Sequence, residues 1–184
     1  MGEAQTYVLV DGENIDATLG TSVLERRPEP AERPRWDRVK SYFADQWGQP
    51  VTGLFFLAVN NELPLPFIKA LLAMGYRPVP LSGAEGEKVV DIAIIRTLEA
   101  LAGRSGDVVL VSNDGDFLPA LNAVCDGRRV AVAGFREFRH RGYTALEDQG
   151  VELLDLEYDV EAFNVRLPRL RVIPIEEFDP LDFL

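Results

Sequence analysis

One cysteine and one histidine are all the sequence offers of the two residue types that most often hold zinc. Cys125 cannot form an internal disulfide, and its setting in PALNAVCDG predicts a buried structural thiol at the end of a helix. A lone His140 argues against a zinc site and against a histidine-based nucleophilic triad. No apolar run approaches the roughly 18 residues that a membrane helix needs. No basic stretch leads into an apolar segment and cleavage site, so a cytosolic protein without membrane association is expected. The opening MGEAQT fits the loose myristoylation pattern, but the first strand is read to begin by Tyr7 and so short a pattern matches often by chance. Neither GxGxxG nor GxxxxGKS/T occurs, which leaves nucleotide-cofactor chemistry unsupported. Internal repeats and low-complexity tracts are also missing.

Positive charge is scarce as well. The formal net charge is −11, which looks wrong for a protein that handles nucleic acid. Its distribution changes that reading. Residues 142–184 hold eleven acids and three arginines, whereas residues 1–141 hold nineteen acids and sixteen bases. Most of the acidity is therefore C-terminal, and the remainder leaves nucleic acid open as a partner.

What the chain does have is an alternation of short apolar runs and helical periods. Strands are read at 6–10, 51–59, 76–81, 108–112, 129–135 and 150–156, and helices at 36–48, 64–75, about 90–102 and from Asp116 to about Gly127. The two prolines of YRPVPL assign residues 76–81 to a sheet edge. Repeated strand–helix–strand units imply parallel pairing with right-handed crossovers, hence a three-layer α/β/α sandwich around a mostly parallel, Rossmann-like sheet. The segment 24–35, LERRPEPAERPR, carries three prolines and four arginines and reads as an exposed, mobile loop. A domain over 1–156 is then followed by an acidic, partly apolar extension over 157–184, which either packs on its own domain or serves a protein partner or self-association.

Four aspartates fall where the carboxyl edge of such a sheet is expected. Asp11 begins DGEN directly after the first strand. Gly12 would let the backbone turn sharply and Asn14 would cap a following helix, although a plain DG turn has the same look. Asp91 shares a helical stripe with Ile94, Ile95, Leu98 and Leu101. A carboxylate on that stripe is costly unless paired or metal-bound, the plain alternative being an acid stabilised by the helix dipole. SNDGDF places Asp114 and Asp116 two apart with Gly115 between them, and Ser112 and Asn113 add neutral oxygens; an Asx-turn feeding a helix would also account for the pattern. Several carboxylates converging on one edge need raised pKa values or a bound cation. Lys88 could pair with the group or contact a phosphate.

Basic residues gather in two places. Arg26, Arg27, Arg33, Arg35 and Arg38 lie in or near the proline-rich loop. Arg128, Arg129, Arg136, Arg139, His140 and Arg141 surround the strand at 129–135, interleaved with Phe135, Phe138 and Tyr143. Such sets hold phosphate backbones and stack bases, and they also occur as solvated basic faces.

VLVDGEN, KVVDIAI and LVSNDGDF, in this order and spacing, resemble the motifs of the NYN domain, a PIN-like nuclease fold, and within it the LabA-like bacterial branch. The resemblance covers roughly residues 5–156. It implies a pocket of Asp11, Asp91, Asp114 and Asp116 that binds Mg²⁺ or Mn²⁺, with Asn14 as its polar member and Ser112 at the rim. The sequence departs from that branch at Val89 and Thr97, where glycine and a second aspartate are frequent, and at Asn113, where glycine is frequent. The implied activity is hydrolysis of RNA phosphodiesters, single-stranded RNA being the expected substrate. Asp11, Asp91 and Asp114 would position one or two cations, and Asp116 would add a ligand or hold the attacking water. Asn14, Ser112, Asn113, Lys88, Arg26 and Arg27 are the expected substrate contacts. Two other classes remain open at this stage: a non-catalytic regulatory module binding a protein or RNA partner, and a phosphoesterase acting on small substrates.

Overall fold

Runs of Val, Leu, Phe and Ala that stop at small or polar residues become the strands of one sheet. These are β1 (Thr6–Asp11), β2 (Val51–Ala58), β3 (Tyr76–Leu81), β4 (Asp107–Val111), β5 (Val130–Gly134) and β6 (Glu152–Asp155). In the computed structural model, which describes residues 3–184, they lie in the order β3-β2-β1-β4-β5-β6 with every neighbouring pair parallel. Gly2, the residue a myristoyl group would need, lies outside the described residues. The prolines Pro78 and Pro80 sit on edge strand β3, as read from the sequence.

The alternation within each strand sends side chains to two cores. Val8, Val10, Phe55, Val109 and Val111 face α1 (Gly12–Thr18), α2 (Trp36–Trp47) and α3 (Leu65–Ala73). Leu9, Phe56, Val108, Leu110 and Val132 face α4 (Val89–Ala102) and α5 (Leu118–Val124). The result is the three-layer α/β/α sandwich expected. Its connections run outward from β1 on one face and from β4 on the other, so strand order reverses between β1 and β4. The loops leaving these two strands diverge there and open a crevice at the carboxyl edge.

Two expectations need correction and one gains detail. The proline-rich segment is exposed along most of its length, as read, and is anchored to the domain at several points. Beyond α1 the helix loosens into π-helical turns over Leu19–Leu24, Pro28 and Pro34 are buried, Arg26 is clamped to Glu32, and the Arg35 N–H donates to the Ala162 carbonyl at 2.6 Å. Asn14 does not cap α1; Asp11 does, its Oδ1 accepting the Asn14 N–H at 3.5 Å. The helix from Asp116 is short, a 3-10 turn over Gly115–Phe117 leading into α5. Cys125 at its end is half-buried, its thiol donating to the Leu121 carbonyl.

The chain beyond β6 belongs to the core as far as Arg169. Val160, Ala162 and Leu167 are buried in the cluster under α1 and α2. The Arg169 guanidinium, 2 % exposed, bonds to Asp155 through both terminal nitrogens (2.9 and 2.6 Å), to Glu137 (2.6 and 2.7 Å) and to Glu157 (3.1 Å). It is also sandwiched by the rings of Phe135 and Tyr158. Past it the chain opens out, with Leu170 97 % and Leu184 100 % exposed. No helix among the described residues is long and apolar enough to cross a membrane.

Candidate metal centre

The crevice between β1 and β4 collects the acids. Asp11, the last residue of β1, is 2 % exposed. Its Oδ2 accepts the Ser112 hydroxyl at 2.9 Å, and that hydroxyl oxygen accepts the Asp114 N–H at 3.1 Å. Burial pushes the Asp11 carboxyl up to about 6; the Ser112 hydrogen bond opposes this, and the charges of Asp91 and Asp114 add to it. Asp91 occupies the first turn of α4, whose Ile94, Leu98 and Leu101 are buried beneath it. Its carboxyl is also raised, chiefly by burial and then by Asp114, with Lys88 opposing. Asp114 uses one oxygen, Oδ1, to accept the Asp116 N–H at 2.9 Å. The Asx-turn that competed with the metal reading is therefore present, and it leaves Oδ2 of Asp114 free of any hydrogen bond among the described residues.

One carboxylate oxygen each from Asp91, Asp114 and Asp116 lies within 4.8 Å of the others. Asp11 stands beside this trio rather than in it, joined to it through Ser112. Lys88 supplies the positive charge: its Nζ is 3.9 Å from Asp91 Oδ2 and 3.6 Å from Asp116 Oδ2. An ammonium held between two carboxylates marks the point where a cation is stabilised. Three hard oxygen donors with no nitrogen or sulfur among them suit a hard divalent cation and not a softer ion.

Two glycines of the motifs are required for reasons the sequence did not show. Gly12 opens α1 without a positive φ; a Cβ there would come within 2.3 Å of the Phe55 ring. Gly115 likewise has no positive φ, and its Cβ would meet the His140 ring at 2.4 Å. His140 thus stands against the Asp114–Asp116 turn, its Nδ1 accepting the Gly142 N–H at 3.0 Å. Neutral His140 held in this way carries its proton on Nε2. Its place in the basic group around β5 is visible in the sequence, whereas its packing against the acidic turn is not.

The remaining expected contacts divide. Asn14 Oδ1 accepts the Asn113 N–H at 2.9 Å, tying the loop after β1 to the loop after β4. The Asn113 side chain is turned inward, accepting from the Phe135 N–H at 2.8 Å and donating to Thr18 Oγ1 at 3.3 Å, so it holds loops together and presents no group to the crevice. Arg26 and Arg27 lie beyond the π-helical turns, with the Arg26 carbonyl packed at Gly20, two turns along from the helix start at the crevice. Arg33 is the arginine of this segment that returns to the carboxyl edge, pairing with Asp16 at 3.0 Å. The second basic group also splits. Arg128 and Arg129 precede β5 and lie at the amino edge, bound to Asp126 and Glu152. Arg136, Arg139, His140 and Arg141 follow β5 and, with Glu137 and Glu147, line a cavity of about 360 Å³ whose His140 wall packs against Gly115 of the acidic turn. Phe135 and Tyr143 are buried, so of the three interleaved aromatics only Phe138 is exposed. The Tyr143 hydroxyl donates instead to the Asp114 carbonyl and fixes the acidic turn.

Comparison with known proteins bears on the fold and the family. No curated relative matches the chain. A crystal structure of a protein of unknown function from Vibrio parahaemolyticus has the same fold, with a TM-score of 0.65 over 85 % of this chain and 95 % of its own at 17 % identity. The NYN domain matches residues 5–152, a span that carries β1, α4, the turn after β4 and all four aspartates, and the chain belongs to the NYN domain family.

Proposed function

We propose that the protein is a metal-dependent ribonuclease, of the LabA-like branch, that hydrolyses RNA phosphodiesters at the β1/β4 crevice. The observation that carries the reading is the convergence of Asp91, Asp114 and Asp116 within 4.8 Å, with the Lys88 ammonium paired to Asp91 and Asp116. Asp91, Asp114 and Asp116 would hold one or two Mg²⁺ or Mn²⁺ ions, with Asp11 beside them. When bound, the metal supplies a water of lowered pKa and neutralises charge on the phosphate.

The chain's own groups do the rest. Ser112 orients Asp11 and favours its charged form against the effect of burial. Tyr143 and the Asp114 Asx-turn fix where the carboxylates of the turn point. Lys88, three-quarters exposed, can leave the carboxylates when a metal arrives and carry its charge to a phosphate oxygen. His140 packs its ring against Gly115 of the acidic turn, close enough to the acids to serve as a further contact for the phosphodiester. Arg136 and Arg141 extend positive charge along the same edge toward β6 and suit the next phosphate of a single strand.

The test is cleavage of labelled single-stranded RNA titrated with Mn²⁺ and Mg²⁺, wild type beside Asp114→Asn purified in parallel. Metal-dependent cleavage lost in the variant is the expected result. Equal cleavage by both preparations assigns the activity to a contaminant and overturns the reading. The exposed apolar tail, Leu170, Val172, Leu181 and Leu184 among it, favours a second reading, a module that binds a protein partner. That reading requires the intact chain to be inactive and its partner to be lost on deletion of residues 170–184.

A further inference from the structure

A second cavity, of about 310 Å³, opens on the same edge one strand away from the acids, between α1, β2 and α3. Its size falls in the range of sites that take small organic groups, roughly 300–1,000 Å³. Its walls combine the rings of Trp36, Phe55 and Phe67 with the side chains of Glu13, Asp16 and Arg33. Trp36 and Phe67 each meet Phe55 edge-to-face, at 5.2 Å between centroids, which holds the aromatic wall rigid. Phe67 keeps 37 % of its surface in solvent and is the ring open to a ligand.

The polar groups are only half used. Glu13 Oε1 accepts the Ala58 N–H at 2.9 Å and Asp16 Oδ1 accepts Arg33 Nε at 3.0 Å. Among the described residues, Glu13 Oε2, Asp16 Oδ2 and the two terminal nitrogens of Arg33 have no hydrogen-bond partner. Two carboxylate acceptors and a guanidinium donor beside an aromatic wall match the edge of guanine, whose N1–H and N2 amine donate and whose O6 and N7 accept. Uracil offers one N–H and two carbonyls and leaves a carboxylate facing an oxygen. The cavity neighbours the metal centre, because Gly12 and Glu13 in its lining follow Asp11 directly in the chain.

We propose that this cavity is a nucleobase subsite, selective for guanine, that seats one base of the RNA strand next to the phosphate held at the acids. The inference rests on the nuclease reading for its polymer, but the pocket itself can be tested without cleavage. Phe67 stacks on the base, Arg33 reads its acceptors, and Glu13 and Asp16 read its donors. An RNA strand then lies along the carboxyl edge with its base over β2 and its backbone running toward Arg136 and Arg141.

The experiment is saturation-transfer NMR on the full chain in EDTA, with guanosine and uridine as free nucleosides, followed by mapping of cleavage positions on RNA. Guanosine is expected to receive magnetisation and uridine little. Phe67→Ala should weaken guanosine binding by roughly 5- to 100-fold, the range that an aromatic–base stack supports. Arg33→Gln, a milder surface change, should erase the difference between the nucleosides. No transfer to guanosine, or equal transfer to uridine, overturns the subsite. Guanosine binding in a chain that cuts no RNA would remove the nuclease reading and leave the pocket standing. RNA cleavage indifferent to base, and unchanged by Phe67→Ala, would remove the pocket and leave the nuclease.

Discussion

Ser112 donates its hydroxyl hydrogen to Asp11 across 101 residues of sequence, and the same oxygen receives the backbone N–H of Asp114. One small hydroxyl therefore couples the ends of β1 and β4, the two strands at which the sheet changes direction. It stabilises the charged form of a carboxylate that burial otherwise drives toward protonation.

Removing that hydroxyl should weaken metal binding more at low pH than at high pH. In Ser112→Ala the Asp11 carboxyl rises further, and a metal must compete with its proton. Loss of such an orienting partner costs about 10- to 100-fold in affinity. Calorimetric titration with Mn²⁺ should show a deficit near the lower end of this range at pH 8 and a larger one at pH 6. The same affinity as wild type at both pH values would mean that Asp11 takes no part in holding the ion.

Asp11 also sets a stability slope in the metal-free protein. Its unfolded carboxyl titrates near 3.8 and its folded one at about 6. Between these values the folded state binds the extra proton, so stability falls as pH rises through the window, by roughly 3 kcal/mol in total. Asp11→Asn abolishes this contribution. Thermal melts in EDTA should therefore show the variant gaining on wild type from about pH 4 to pH 6 and keeping its advantage above. A constant difference across the series would contradict the buried, uncompensated state of this carboxyl.

Lys88 predicts opposite effects on binding and turnover. Lys88→Ala removes the ammonium that competes with a divalent ion for Asp91 and Asp116, so Mn²⁺ should bind several-fold more tightly. RNA cleavage at saturating metal should nevertheless fall by at least about tenfold, because a phosphate contact is lost; an exposed ion pair alone contributes under ~1 kcal/mol. Tighter binding with unchanged turnover would confine Lys88 to charge balance in the metal-free state.

Much of this was legible in the sequence for a physical reason. VLVD, LFFLA and VVLVS are apolar runs too short for helices and end at residues that need solvent or partners, so both the buried parallel strands and their carboxyl edge could be read. The Asp91 stripe was legible from period alone. What escaped depended on contacts distant in sequence. Gly12 and Gly115 looked like turn residues, whereas Phe55 and His140 are what forbid a side chain there. Asn113 looked like a ligand because its neighbours are, and only the proximity of β5 shows its amide turned inward. The two basic clusters looked like continuous patches because sequence does not say that β5 separates Arg129 from Arg136 by its own length, roughly 17 Å. Arg33 was legible only as one of the basic residues of the 24–35 segment, and its meeting with Glu13 at one cavity needs that segment to fold back.

The buried Arg169–Asp155 pair tests whether the chain beyond β6 is part of the fold. Asp155 is fully buried at the end of β6 and accepts N–H groups from Arg136, Glu157 and Tyr158 as well as both Arg169 nitrogens. These bonds, with the Arg169 charge, outweigh burial and hold its carboxyl below the ordinary range. Arg169→Met leaves that carboxylate buried without its cation, which costs about 3–5 kcal/mol. Adding Asp155→Asn should recover part of the loss, since the pair's net contribution is smaller than the cost of leaving one charge alone. Truncation after Leu170 should by contrast shift stability by less than about 0.5 kcal/mol, because that segment buries little. Urea denaturation of the three proteins separates the cases. If Arg169→Met melts like the truncated chain, the residues after β6 are an appendage; a large loss for Arg169→Met, partly restored in the double variant, makes them the lid of the first core and the support of the Arg136 end of the crevice.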